Sequence, residues 1–520
     1  MTTNNNVAVD PNKTAFIRFM DKVEEWGNKL PDPFFLFAYM LILVLILSAI
    51  FGGVSETYVL KSAAGKVTSK TVSIVNLLNE NYLRSLITDM VKTYVSFAAL
   101  GLVMVLMIGI GVAQYSGLFD TAMKGTLVNA TSLTLTIALA FVGTCSHLAS
   151  SAGIVLTTTL GAAIFSSVGR NPIKGALIGY VASHGTWSAC IFPFGTDVLM
   201  SGITQTIVQA AGISAPVHPL MNYYFMFVYA FVGTFTVAFV AEKLVPDCKY
   251  GEVKELGEKT ALTAAEKRGL KFTVVALVVS VAVLLLLTVP PNAFFRAKDG
   301  SLLPSSPLIN GIVGILFILF VVLGSAYGYG AGTITNKKQI PKLMGYGIRD
   351  MIPFFIISFT ACIAINAFGD SNLGTVIAVK GANFLSMMGL GAIQLALGLL
   401  VLTCFVNLFI TAVNIKWMIM GPIFVPMFAS LGLSPALTTL IYRVGDAVVN
   451  PISPVNLFLP IVVGIMNQYK KTDDPEIGIG TLFSMTLPYV MAAAVTHTLL
   501  MVIWMYFDLP MGPGVTQMLK

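Results

Sequence analysis

Long apolar stretches, separated by short polar segments, run along almost the whole chain. A membrane-spanning helix needs about 20 predominantly apolar residues. Two apolar regions, about 132–205 and 385–466, are broken repeatedly by glycine, proline and polar residues. The remaining long apolar stretches predict seven uninterrupted spanning helices, at residues 34–54, 93–115, 221–242, 270–290, 307–328, 351–369 and 480–507. The pattern therefore predicts an all-α polytopic membrane protein.

The two interrupted regions resemble each other. "AIFSSVGRNPIKGALIGY" (163–180) aligns with "PMFASLGLSPALTTLIYR" (426–443) at a constant offset of 263 residues, and both contain a G-x-x-P turn. The apolar stretch before each turn is too long for one span, and its middle is polar: "CSHLASSAG" in the first copy and "TAVNIK" in the second. Irregular backbone at membrane depth occurs where it is buried in protein or lines a cavity. We therefore expect a re-entrant hairpin in each copy, within repeats of approximately 93–242 and 351–507.

The basic residues predict the orientation of the chain. The loop 242–272 holds seven Lys and Arg residues, whereas the loop 206–220 holds none. Because cytoplasmic loops are enriched in Lys and Arg, 242–272 is predicted to be a cytoplasmic linker. About nine spans and two hairpins then place the N-terminus inside and the C-terminus outside, and the two repeats face opposite ways. Such inverted repeats with broken helices are typical of secondary transporters.

Composition supports a single transmembrane domain over residues 1–520. The chain is 56% hydrophobic and 11% charged, with a mean hydropathy of +0.84, whereas soluble proteins carry about 25% charged residues. The polar N-terminus has no signal-peptide pattern. The net charge of +7 does not indicate nucleic-acid binding, because the positive charge lies in loops. The five cysteines show no metal or disulfide spacing, so no cofactor is expected apart from a coupling ion. The outside segment 54–92 is expected to hold a short interfacial helix.

Four charged residues are predicted to lie deep in the membrane: Asp197, Lys416, Arg443 and Asp446. A charge at that depth costs about 2.5–3.5 kcal/mol on insertion scales, so such residues usually mark ion pairs or transport pathways. Arg443 and Asp446 are three residues apart on one helix face. They predict either a mutual ion pair or an arginine that binds a substrate carboxylate while Asp446 orients it. Lys416 could extend to the interface, pair with Asp446 or contact substrate.

Asp197 lies in "FPFGTDVLMSG", where Pro193 and Gly195 interrupt a helix. It could cap the following half-helix, or it could carry a proton or ligate a cation. Trp417 could pack at an interface or stack on an aromatic substrate. Three histidines near these segments are interpreted as packing residues rather than proton relays: His147, His184 and His497.

The sequence carries no phosphate-binding G-x-x-x-x-G-K-[ST] motif and no H-E-x-x-H or G-x-S-x-G motif. These absences argue against an ATP-driven pump, a membrane protease and a lipase. Two other classes of membrane protein are alternatives to a secondary transporter. An intramembrane enzyme would need a nucleophile and base constellation, and only scattered Ser and His occur. A passive channel would conduct without ion coupling, whereas the unequal, polar-tipped hairpins favour alternating access.

Several long segments carry a family resemblance. "GPIFVPMFASLGLSPA", "YRVGDAVVNPISPVNLFLP", "SAGIVLTTTLGAAIFSSVGRNPIKG", "FGTDVLMSGI" and "LPMGPG" resemble the p-aminobenzoyl-glutamate transporter (AbgT) family over essentially the whole chain. The resemblance implies a homodimer in the bacterial inner membrane, with nine spans, two opposed hairpins and a substrate site between the hairpin tips and the broken helices. It implies transport of p-aminobenzoyl-glutamate coupled to a proton or sodium gradient, and some members are described as exporters of sulfonamide antimetabolites.

The family's site residues map onto Asp197, Trp417 and Arg443. The chain departs from the usual family pattern at "TAVNIKW", which introduces Asn414 and Lys416, at "SSAG" of the first hairpin tip, and at "GTWSACIF". The predicted substrate is a small anionic aromatic amide such as p-aminobenzoyl-glutamate; the alternative is another small carboxylate or peptide-like anion. The residues predicted to bind it are Asn414, Lys416, Trp417, Arg443, Asp446, Asp197, Ser150 and Ser151, with Asp197 also coupling the cation.

Overall fold

The fold is taken from a computed structural model. It describes residues 31–61, 67–128, 134–149, 152–245, 262–303, 306–387, 389–471 and 476–519. Helices make up almost all of the regular structure in these ranges. A small antiparallel hairpin of two strands accompanies them near the N-terminal end.

The elements of the first half, in chain order, are α1 (Pro33–Ile50), β1 (Ser55–Lys61), β2 (Val67–Ser73), α2 (Glu80–Thr88), α3 (Met90–Val95), α4 (Ala98–Tyr115), α5 (Leu118–Val128), α6 (Leu135–Cys145), α7 (Ala152–Ser167), α8 (Pro172–Gly185), α9 (Gly195–Ala210) and α10 (Tyr223–Phe239). Those of the second half are α11 (Ala264–Leu286), α12 (Pro307–Asn310), α13 (Ile312–Ala331), α14 (Gln339–Arg349), α15 (Ile352–Asp370), α16 (Leu373–Met387), α17 (Ala392–Asn407), α18 (Val413–Ser430), α19 (Pro435–Val449), α20 (Leu459–Asn467) and α21 (Ile479–Tyr506). Short turns of other helix types follow three of them: 3₁₀ turns Ser146–Ala149 and Asn450–Ile452, and a π turn Val240–Leu244.

Eight helices in the described part are long and apolar enough to cross a membrane, so the chain is a multi-pass membrane protein. Seven of the eight coincide with the seven uninterrupted spans predicted from the sequence: α1, α4, α10 with its π turn, α11, α13, α15 and α21. The eighth is α18, the second arm of the predicted second hairpin. The count of nine spans, the orientation of the termini and the repeat boundaries remain predictions.

The two G-x-x-P turns build the same local structure. Gly169 and Gly432 each adopt a left-handed φ, of 76° and 85° respectively, which glycine tolerates because it has no Cβ. Pro172 and Pro435 then open α8 and α19, and a side chain caps each helix start: Asn171 accepts from Lys174 N and Ser434 accepts from Leu437 N. A proline at the first helical position after a polar cap is a strong start signal. The aligned segments therefore turn and restart at corresponding residues.

Burial separates the interior of the molecule from its periphery. Helix α8 is buried at every residue, and α19 is buried from Pro435 to Val448. Helix α11, in contrast, buries only Gly269 and Thr273. All four charged residues predicted at membrane depth are buried: Asp197 on α9, Lys416 on α18, and Arg443 and Asp446 on α19. The outer helices present apolar surfaces, as expected of a protein surrounded by lipid.

Two details differ from the expectations for the loops. The segment 54–92 contains the β1–β2 hairpin as well as helices, so the molecule is not helical throughout. Helix α11 begins at Ala264 rather than near 270, because Thr263 and Glu266 form a reciprocal capping box there. Most of the predicted linker 242–272 lies outside the described residues.

Candidate functional site

Two helical hairpins and two interrupted helices meet in the interior. The predicted first hairpin corresponds to the consecutive helices α6 and α7, and the predicted second hairpin to α17 and α18. Helices α8 and α9 are separated by a break at residues 186–194, and α19 and α20 by a break at 450–458. The Tyr180 hydroxyl donates to Pro451 O at 2.9 Å, and Asn456 Nδ2 donates to that hydroxyl at 3.2 Å. Side chains of the first interrupted helix thus bind directly to the break of the second.

A buried ion pair joins these two interrupted helices. Arg443 Nη2 lies 2.7 Å from Asp197 Oδ1, and the two side chains are 2% and 9% exposed. The same Nη2 donates to Ser188 O at 3.1 Å. Ser188 has a φ of 75°, a region that non-glycine residues rarely enter. The break between α8 and α9 is therefore shaped to present both an acid and a carbonyl to one guanidinium.

Asp197 has two roles in this geometry. It is the third residue of α9, and its Oδ2 accepts the Phe194 backbone N–H at 3.1 Å, so it caps the half-helix. Its Oδ1 receives Arg443. Asp197 therefore has a basic partner that is distant in the sequence. The expected mutual pair of Arg443 with Asp446 is wrong, because Arg443 pairs with an acid 246 residues away in the chain.

Asp446 instead forms an ion pair with Lys416, and both side chains are fully buried. The Lys416 ammonium also donates to Asn407 Oδ1, at the end of the first arm of the second hairpin. Of the three alternatives for Lys416, the structure therefore shows the pairing with Asp446. Two opposite-charge pairs lie in the interior, one at the first helix break and one at the second hairpin.

Trp417 is fully buried beside these pairs. Its indole Nε1 donates to Thr204 Oγ1 at 2.9 Å, and its ring lies 4.6 Å from that of Tyr442, tilted by 32°. One face of the indole is therefore covered within the chain. Asn414 lies one turn earlier along α18 and is half-buried. Ser150 and Ser151, the predicted contacts of the first hairpin tip, lie outside the described residues.

Several buried polar atoms near the first break have no hydrogen-bond partner among the described residues: Ser146 Oγ, His184 Nδ1, Ser188 Oγ and Arg443 Nε. An unpaired polar group buried away from water is unfavourable, so such atoms commonly mark a ligand or solvent position. Ser146 and Ser188 were not predicted as site residues. The signal that could have indicated them is the polar middle of "CSHLASSAG" and the helix break in "GTWSACIF".

Aromatic rings line the same region. His147 lies 4.4 Å from the ring of Trp187, and His184 lies 5.5 Å from that of Phe458. His497 accepts or donates a hydrogen bond at 2.9 Å with the Tyr229 hydroxyl. These contacts show that the three rings pack against aromatic neighbours; the interpretation of the histidines as packing residues rather than proton relays stays a prediction. In the described part of the chain no group of three or more His, Cys, Asp or Glu residues could hold a metal ion.

The arrangement of broken helices, hairpins and buried charges defines a membrane transporter of the kind that holds solutes at helix breaks. Residues 18–519 match the AbgT putative transporter family, and the chain belongs to this family. The family consists of transporters and not enzymes, which confirms the predicted class and implies a small-molecule substrate.

Known relatives cover nearly the whole chain. The p-aminobenzoyl-glutamate transport protein of Escherichia coli (strain K12) is 31% identical over 495 residues, which cover 95% of this chain and 96% of the relative. Among solved structures, the YdaH transporter of Alcanivorax borkumensis, described as having an unusual topology, is 30% identical with a TM-score of 0.84, covering 93% of this chain and all of that one. MtrF of Neisseria gonorrhoeae, described among antimetabolite efflux pumps, is 32% identical with a TM-score of 0.87, covering 96% and 100%.

Proposed function

We propose that this protein is a secondary active transporter of a small anionic aromatic amide, such as p-aminobenzoyl-glutamate or a sulfonamide-type antimetabolite, coupled to a proton or sodium gradient across the bacterial inner membrane. The observation that carries the proposal is the buried ion pair between Asp197 and Arg443. It joins the two interrupted helices, the region in which the family resemblance implies a substrate site. Of the relatives named above, the Escherichia coli protein is described as a p-aminobenzoyl-glutamate transport protein, and MtrF is described among antimetabolite efflux pumps.

The chemistry of the pair supports an exchange of carboxylates, in which a carboxylate of the substrate replaces that of Asp197 on the Arg443 guanidinium. Arginine presents several N–H donors in a planar fork that suits a carboxylate. One Nη2 is used by Asp197 and Ser188, while Nε has no partner among the described residues. A substrate carboxylate can bind the guanidinium only if the charge of Asp197 is compensated at the same time. A proton or a sodium ion on Asp197 would supply that compensation and would link substrate binding to the cation.

The aromatic and polar side chains proposed to surround this pair suit an aromatic amide. Trp417 and Tyr442 offer aromatic surface, and Asn414 can donate or accept at an amide group. Ser146 and Ser188 have hydroxyls without partners among the described residues. A small movement of α18 relative to α9 would expose the indole face. The second candidate, another small carboxylate or peptide-like anion, would use Arg443 in the same way but would gain nothing from the indole.

The purified protein tests the exchange of carboxylates. We expect binding of p-aminobenzoyl-glutamate to strengthen as the pH falls or as sodium is added, because either cation compensates Asp197. Glutamate, which has the carboxylates without the ring, serves as the matched ligand. Binding of both ligands that is independent of pH and of sodium would contradict the proposal. Equal affinity for the two ligands would favour the second candidate.

We expect the protein to form a homodimer in which the peripheral helices provide a fixed interface and the hairpins move. The peripheral helices near 34–54 and 270–328 expose extensive apolar surface, and α11 is the most exposed of them. Closed two-fold assemblies are the commonest oligomers. We expect crosslinks between cysteines placed on these helices and a dimeric mass for the detergent-purified protein. A monomer, or crosslinks only through the hairpins, would contradict this arrangement.

A further inference from the structure

Lys416 places a positive charge at the tip of the second hairpin. It is the fourth residue of α18, and its side chain is fully buried. Its ammonium contacts two oxygens, Asn407 Oδ1 and Asp446 Oδ1. A buried ammonium is unfavourable unless oxygen ligands and a counter-charge surround it. Asn407, at the end of α17, supplies the oxygen ligand, and Asp446, on α19, supplies the counter-charge.

The oxygen ligands are held in position by the rest of the chain. Asn407 Nδ2 donates to Asp446 O at 2.7 Å and to Asn450 Oδ1 at 2.8 Å, so the amide is fixed with its oxygen toward the ammonium. Asn407 is also the last residue of α17, where the helix dipole favours a positive charge. In broken-helix transporters, the carboxyl ends of half-helices bind free cations, and carboxylate and amide oxygens are general ligands of hard cations.

The first hairpin lacks this arrangement. At the offset of 263 residues that separates Pro172 from Pro435, Gly153 stands in place of Lys416 and Ser183 in place of Asp446. A Cβ on Gly153 would lie 2.1 Å from Ser146 O, so no side chain fits there. The Ser183 hydroxyl donates to Gly179 O at 2.8 Å, within its own helix. Only the second hairpin combines a buried acid with a buried ammonium at these positions.

We infer that Lys416 is a built-in cation: its ammonium occupies, at the second hairpin, the position that a free sodium ion would otherwise take between Asn407 and Asp446. This inference rests on the proposed function as a cation-coupled transporter. It follows that the second hairpin is closed by a tethered charge and does not require a free cation. The coupling cation then acts elsewhere, at the pair of Asp197 and Arg443.

Replacing the lysine tests the inference. Lys416→Met keeps most of the side-chain length and removes the charge, which leaves Asp446 and Asn407 without a cation. Lys416→Ala leaves space for a small free ammonium ion. We measure the melting temperature of the purified, detergent-solubilised protein in sodium chloride, methylammonium chloride and choline chloride at equal ionic strength. Choline is too large for the site and sets the baseline.

We expect sodium to raise the melting temperature of Lys416→Met by at least about 3 °C more than that of the wild type, because a cation that binds only the folded state stabilises it. Methylammonium should act similarly on Lys416→Ala. Two controls should show no added response. Lys174→Met removes another buried lysine, whose ammonium lies 3.4 Å from Val245 O. The double variant Lys416→Met with Asp446→Asn has no acid to bind the ion.

A sodium response of Lys416→Met no larger than that of the wild type would overturn the inference. So would failure to obtain folded protein from both variants in every one of the three salts, because a free cation is predicted to restore the site. The melting measurement needs no transport. A sodium response in the variant combined with no transport by the wild type would therefore keep this inference and refute the proposed function.

Discussion

Asp197→Asn separates the charge of Asp197 from its shape. Asn has one acceptor oxygen, so it can keep the half-helix cap by accepting the Phe194 N–H, while its Nδ2, which only donates, then faces Arg443 in place of the second carboxylate oxygen. The variant leaves the Arg443 guanidinium, 2% exposed, without a counter-charge. Removing one partner of a buried ion pair is unfavourable by about 3–5 kcal/mol. A bound substrate carboxylate would restore the missing charge.

We therefore expect Asp197→Asn to bind an anionic substrate more tightly than the wild type at high pH without sodium. If about 2 kcal/mol of the lost pairing energy reappears in binding, the affinity rises by about thirtyfold. The dependence of binding on pH and sodium should disappear, because no acid remains to be compensated. Gradient-driven accumulation should be lost, while exchange of substrate across the membrane continues.

The assay is ligand binding to the purified variant across pH, followed by exchange and accumulation in proteoliposomes. Asp446→Asn is the matched control, because it is an equally conservative change of a buried acid whose partner is Lys416 instead. It should leave the pH dependence of substrate binding in place. Undiminished gradient-driven accumulation by Asp197→Asn would refute the reasoning, as would weaker binding at every pH.

Further predictions address the ligand contacts, the topology and a loop. Arg443→Lys keeps the charge but cannot reproduce the planar fork, so we expect ten- to a hundred-fold weaker binding, from the loss of about 1.5–3 kcal/mol; unchanged affinity would make Arg443 purely structural. Trp417→Ala should weaken binding of p-aminobenzoyl-glutamate more than that of glutamate, and equal losses would exclude stacking. A cysteine that replaces Lys338 should be labelled by an impermeant reagent only from the cytoplasmic side. Labelling from outside would contradict the predicted topology. Burial lowers the pKa of His218 below its ordinary value of about 6.5, and its neutral ring accepts a hydrogen bond from Leu220 N and donates one to Pro513 O. The contribution of this neutral ring to the stability of the fold should therefore be complete above about pH 6.5 and lost as the pH falls further. Melting temperatures of the wild type and of His218→Ala that change equally with pH would contradict this prediction.

The local elements of the architecture could be predicted because short segments of the sequence determine them. Apolar length predicted the seven uninterrupted helices, and the two G-x-x-P segments predicted the turns that precede α8 and α19. The β1–β2 hairpin could not be predicted as readily. Its strands are polar and lie outside the apolar stretches, so hydropathy carries no signal for them.

The pairing of the buried charges could not be predicted from local spacing. Arg443 and Asp446 share a helix face, which suggested a pair, but three-dimensional packing directs each toward another element. Asp197 reaches Arg443 from 246 residues away, and Lys416 reaches Asp446 from the neighbouring hairpin arm. The four buried charged residues could be identified from the sequence, because a charge at membrane depth is unfavourable and therefore rare. Their partners depended on how the two interrupted helices and the hairpins pack together.

Accumulation of substrate against its own gradient tests the central claim most directly. Wild-type protein in proteoliposomes is supplied with radiolabelled p-aminobenzoyl-glutamate at equal concentration on both sides, and a proton or sodium gradient is then imposed. The account predicts net movement of substrate that stops when an ionophore dissipates the effective gradient and that is lost in Asp197→Asn. Net movement that is absent under both gradients, although the protein binds and exchanges the substrate, would contradict coupled transport.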